Sequence, residues 1–182
     1  MRQFLIFLLF AATVAAWGPP RLMAFDVQFS IVDSGGQFTT NERDILDAAL
    51  ARAERMWETV ITGYQPNIII GSIPISIYPT TTGLASATYS STTYQGGFTL
   101  ATQGFININV NEIENFANWQ GVGANGRNYI DELLAHEVGH VLGVGTLWVG
   151  NGVYETNTFH YTGVYGLAAY QAEFNQTVAF VP

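Results

Sequence analysis

The 182-residue sequence contains no cysteine, no lysine and only three histidines. Without cysteine, disulfides, thiolate nucleophiles and thiolate metal sites are excluded, so any metal must be held by imidazoles and carboxylates. Without lysine, the cations are six arginines against 14 acids, a formal charge of −8. That balance offers little to nucleic acid phosphates or an anionic lipid surface, and neither is an expected partner. Charged residues amount to 11% and apolar ones to 48%, too apolar a mixture for a disordered chain. The length suits one domain with a substantial core rather than two.

The amino terminus differs from the rest. Met1, Arg2 and Gln3 precede an apolar run from Phe4 to Ala16, and Val14-Ala15-Ala16 supplies small residues where a signal peptidase cuts. A signal peptide over residues 1–16 is expected, then a short linker over 17–24 broken by Gly18-Pro19-Pro20, then one domain over 25–182. The run is shorter than the ~20 residues that span a bilayer, so an exported protein without stable membrane insertion after leader removal is expected. Asn175-Gln176-Thr177 fits a glycosylation sequon, a pattern too short to decide anything.

From Phe25 to Val32, apolar and polar residues alternate, which predicts a half-buried strand with Phe25, Val27, Phe29 and Ile31 on one face. Thr39 with Glu42 forms a capping box, and Ile45, Ala49, Ala53, Met56, Trp57 and Val60 follow at helical spacing, predicting a long helix ended by Gly63. Ile68 to Tyr78 reads as an extended strand with a kink or edge character at Gly71 and Pro74. The Thr-, Ser- and Gly-rich stretch from Thr80 to Thr102 fits a hairpin, an irregular edge strand or an exposed loop. Phe105 to Asn111 predicts a strand with Ile106, Ile108 and Val110 inward and Asn107, Asn109 and Asn111 outward. After a polar loop with Gly121, Gly123 and Asn125-Gly126, Asn128 caps a helix reaching about Leu142; a short helix follows near Leu167 to Phe174. The order predicts an α+β domain with helices packed on a twisted mixed sheet.

His136-Glu137-Val138-Gly139-His140 lies within the predicted second helix. Residues four apart share one helix face, so two imidazoles can converge on one cation. Glu137 is turned about 100° from His136, which suits a general base for a metal-activated water. With three histidines and nine glutamates in the chain, an accidental match has odds of roughly 0.2%. Zinc is the expected metal.

The octapeptide from His136 to Gly143, HEVGHVLG, resembles the zinc signature of the metzincin peptidases, and its continuation HEVGHVLGVGTLW is more similar to the leishmanolysin-like branch. The likeness extends to Ala48–Gly63 and to Tyr161–Tyr170. This resemblance implies a metzincin-like catalytic domain over 25–182 whose twisted mixed sheet packs against a long helix and a zinc-binding active-site helix. It implies a secreted zinc endopeptidase acting on protein or peptide substrates, with Glu137 as catalytic base and His136 and His140 as ligands. An extended substrate would lie along an edge strand within residues 84–110. In the family a third histidine and a methionine turn follow later in the chain; Thr146 stands at the compact metzincin's third position, and the only methionines are Met1, Met23 and Met56. His160 is the remaining histidine and a candidate third ligand, with Glu155 and Glu173 as carboxylate alternatives, and a continuation beyond Pro182 is a further expectation. Tyr154, Tyr161 and Tyr165 are available as oxyanion donors, none assigned. The alternative is a secreted, peptidase-like binding domain that is inactive or truncated.

Overall fold

The computed structural model describes residues 25–119, 128–175 and 177–181. The expected leader, the linker, the glycine-bearing loop at 121–126 and Gln176 of the sequon lie outside the described residues. Among the described residues, no helix is long and apolar enough to cross a membrane.

The domain is α+β. Strand β1 (Val27–Ile31) leads through helix α1 (Thr40–Val60) to β2 (Ile73–Thr80), and a hairpin of β3 (Ala85–Gln95) and β4 (Phe98–Asn109) follows. A 3₁₀ turn (Val110–Glu112), α2 (Ile113–Asn118), α3 (Tyr129–Leu142), a small hairpin of β5 (Tyr154–Glu155) and β6 (His160–Tyr161), and α4 (Val164–Phe174) complete the chain. The main sheet runs β1-β2-β4-β3, with β1, β2 and β4 parallel and β3 antiparallel at one edge. A parallel pair needs a crossover, and α1 supplies the one between β1 and β2.

One face of the sheet is covered. Val27, Ile73, Ile75, Ile77, Ile106 and Ile108 meet Leu46, Ala49, Leu50 and Ala53 of α1 and Ile130, Leu134, Val138 and Val141 of α3. Most of these side chains are fully buried, each valine, leucine and isoleucine stabilising the fold by about 1.5–3 kcal/mol against exposure. The opposite face carries Gln28, Ser30, Ser86 and Asn107, and Asn107 Nδ2 donates to Ser86 Oγ at 3.2 Å.

The capping box forms as expected, Glu42 N donating to Thr39 Oγ1 at 3.2 Å and Thr39 N to Glu42 Oε2 at 2.7 Å. Helix α1 ends at Val60, before Gly63, where Ile61 turns to extended backbone. Ile68 to Ile70 lie in a loop instead of a strand, held by Gln95, whose amide accepts from Ile69 N at 2.7 Å and donates to Ile69 O at 3.0 Å. Strand β2 is interior rather than an edge. Its prolines fit because donors alternate sides along a strand. Ile73 N donates toward β1, so Pro74 faces the β4 side one residue before that pairing starts, and Pro79 faces the β1 side two residues after Ile77 ends it.

The stretch left open from Thr80 to Thr102 is a hairpin closed by Gly96-Gly97, with β3 as the edge. Asn109 is buried, against the expected outward alternation: its amide donates to Gly83 O at 2.7 Å and its carbonyl accepts from Asn111 N at 3.0 Å. The strand ends there, and Val110 falls in the 3₁₀ turn. The last helix starts at Val164, a few residues before the expected position.

Candidate functional site

Helix α3 begins where expected. Asn128 Oδ1 accepts from Asp131 N at 3.2 Å, satisfying a first-turn donor, and Asn128 Nδ2 donates to Ala117 O at 3.2 Å. Asp131 has a second role that its position gave no hint of: its carboxylate, 10% exposed, takes Arg52 Nη2 of α1 at 2.6 Å. The helix ends at Gly143, whose φ of 104° is open to glycine and strained for other residues. Gly143 N donates to His140 O at 3.2 Å and Val144 N to Gly139 O at 2.9 Å, so the chain folds back over the last turn.

This return places the Val144 carbonyl 3.0 Å from His140 Nδ1. A carbonyl only accepts, so Nδ1 carries the proton and neutral His140 presents a lone pair at Nε2. That nitrogen lies 2.9 Å from His136 Nε2, the rings edge to face with centroids 4.5 Å apart. His136 is exposed and His140 partly so. The two expected ligands therefore converge on a point open to solvent.

Glu137 faces inward from the next position on the helix and is 6% exposed. Its Oε2 is buried without a hydrogen-bond partner, although an unmet carboxylate oxygen is costly. Burial pushes the carboxyl above the usual range, and the neighbouring imidazoles of His136 and His140 pull it partly back. A groove of about 420 Å³ opens beside these residues, lined by Leu84 and Ala85 at the start of β3 and by Tyr129, Glu132, Leu133, His136 and Glu137. A groove of about 470 Å³ between α1 and α3 touches none of the three motif residues.

His160 stands elsewhere. Its Nδ1 is 3.2 Å from Glu155 Oε2, and its ring stacks on Phe180 at a centroid distance of 3.4 Å. Among the described residues, the only three His or carboxylate side chains whose ligand atoms all lie within 4.8 Å of one another are Asp26, Glu54 and Glu58. That acidic group is separate from the histidine pair, and neither His160, Glu155 nor Glu173 joins the pair in such a cluster. Glu173 lines an aromatic groove with Trp148 and Tyr170. Of the tyrosines, Tyr154 and Tyr161 pack on Trp148, and Tyr165 is 79% exposed.

Two contributors were not legible from residue type. Val144 acts through its backbone carbonyl, which no side-chain pattern encodes. Trp57 reaches α3 from α1 by donating Nε1–H to Ala135 O at 2.9 Å. Gly139 is the counterpart: a Cβ there would stand 3.1 Å from Trp57 Cζ2, so close approach explains the glycine in mid-helix.

No protein-family model matches the chain, and no curated protein matches it.

Proposed function

We propose that the chain is a secreted zinc-dependent endopeptidase of leishmanolysin-like metzincin type. The observation that carries this reading is the convergence of His136 and His140 through Nε2, beside a Glu137 carboxylate oxygen that is buried and unpaired. Two imidazole nitrogens with a carboxylate beside them are the donor chemistry of a zinc site, and the pair would supply two of the three protein ligands that a catalytic zinc takes. When bound, zinc acidifies water and polarises a scissile carbonyl.

The chain's own residues supply the rest. His136 and His140 hold the metal, the latter kept in its metal-binding tautomer by Val144 O. The Glu137 carboxylate would take a proton from the attacking water and return it to the departing amine, a role suited to a carboxylate whose proton affinity is raised by burial. Strand β3, at the edge of the main sheet among the described residues, would offer backbone donors and acceptors to an extended peptide.

The test is zinc content and peptide turnover of the exported chain beside Glu137→Ala. Retained zinc with lost turnover supports the assignment, and equal turnover by the variant overturns it. A second reading, a secreted peptidase-like binding domain without turnover, is favoured by the position of His160 away from the pair. Zinc too weak to survive dialysis and no cleavage would select it.

A further inference from the structure

Trp57 touches α3 at two places, and each adjoins a motif histidine. Its Nε1–H donates to the carbonyl of Ala135, whose peptide bond leads directly into His136. Its ring edge lies against Gly139, which leads directly into His140. Ala135 and Gly139 are four residues apart and share one face of the helix, about 100° from the face that carries the histidines. A single indole therefore touches the helix beside both histidines, from its flank.

The buried stripe of Ile130, Leu134, Val138 and Val141 sets which side of α3 meets the core, but dispersion contacts are non-directional and resist a small rotation within that packing less sharply than a directed contact does. A directed hydrogen bond and a ring filling a gap only glycine leaves are not of that kind. We propose that Trp57 is a positioning residue for the His136–His140 pair, fixing the rotation of α3 through the Ala135 carbonyl and the bare surface of Gly139. The Arg52–Asp131 ion pair of 2.6 Å ties the same two helices at the start of α3. Trp57 does so in the turn that bears the first histidine.

The metal readout of this inference rests on the zinc reading above; a second readout does not. The test uses Trp57→Phe, which keeps a ring and removes the donor, beside Thr39→Ala, which removes the cap at the distant end of α1 and serves as a stability control. Co²⁺ is titrated into each, following affinity and the visible spectrum of the bound ion. Imidazole ¹⁵N signals of His136 and His140 are recorded on the metal-free chains.

Trp57→Phe is expected to weaken Co²⁺ binding about tenfold, shift its visible bands and alter both imidazole signals, as loss of supporting contacts around a metal site does. Thr39→Ala is expected to leave all three unchanged despite its loss of global stability. Unaltered imidazole signals in Trp57→Phe, or equal changes in Thr39→Ala, would overturn the proposal. If the unaltered chain binds no Co²⁺, the zinc reading fails, and the imidazole signals alone still decide whether Trp57 sets the pair.

Discussion

His140 Nδ1 and the carbonyl oxygen of Val144 lie 3.0 Å apart, and the contact exists because Gly143 between them adopts a left-handed conformation with φ of 104°. The helix stop and the histidine tautomer are thus one local event. A side chain at 143 would add backbone strain and meet Leu147, whose Cδ1 would lie 2.9 Å from the new Cβ. Gly143→Ala is expected to lower stability by about 1–3 kcal/mol, measurable by urea unfolding. It should also release the His140 ring, seen as an averaged tautomer in its ¹⁵N shifts.

Asn128 fixes the other end of the same helix. Its side chain bonds both Asp131 N and Ala117 O, so truncation strands two backbone groups. Asn128→Ala is expected to cost about 1 kcal/mol, and Asn128→Asp, which keeps the acceptor for Asp131 N, should lose less. Chemical denaturation of both variants checks the order.

Asp33 couples stability to acid. Its side chain is shielded from solvent, which by itself raises the carboxyl pKa, but donors from Gln37 N, Phe38 N and Arg43 outweigh that and hold it below its ordinary 3.8. The unfolded chain therefore binds this proton more readily than the folded one. The contribution is present in full above the ordinary value and is lost as pH falls through the lower, folded value. Thermal melts of Asp33→Asn between pH 6 and about 2.5 should show a shallower decline below about pH 4 than the unaltered chain.

His160 is expected to be dispensable for the histidine pair. It is occupied by Glu155 Oε2 and by stacking on Phe180, next to the Tyr161–Val181 bridge. His160→Ala should leave zinc stoichiometry and affinity unchanged while raising amide exchange at Tyr161 and Val181. Loss of the metal with the variant would return His160 to the ligand set.

Much of this architecture was legible because burial on one face imposes a period. The alternation around Val27 and Ile106, the helical spacing around Ala49, and the caps at Thr39 and Asn128 all correspond to contacts observed. Thr80 to Thr102 stayed ambiguous because no residue of β3 is fully buried, so polar residues occupy both faces and no hydrophobic period arises. Ile68 to Ile70 misled for the opposite reason: β-branched residues favour strands, but a side-chain clamp from Gln95 holds this segment as a loop. The His-Glu-His spacing was readable from helix geometry alone. The contacts that orient it were not, since Val144 acts by its carbonyl and Trp57 across a separation of 78 residues.

Pro74 and Pro79 give the sheet its stagger. Pairing with β4 begins one residue after the first proline, and pairing with β1 ends two residues before the second. If β4 reached back to Pro74, or β1 reached forward to Pro79, each would find a ring where a donor is needed. Strand β2 thus dictates where both neighbours stop, and a sliding error during assembly meets a chemical barrier at either end as well as the turning of Ile75 and Ile77 toward water.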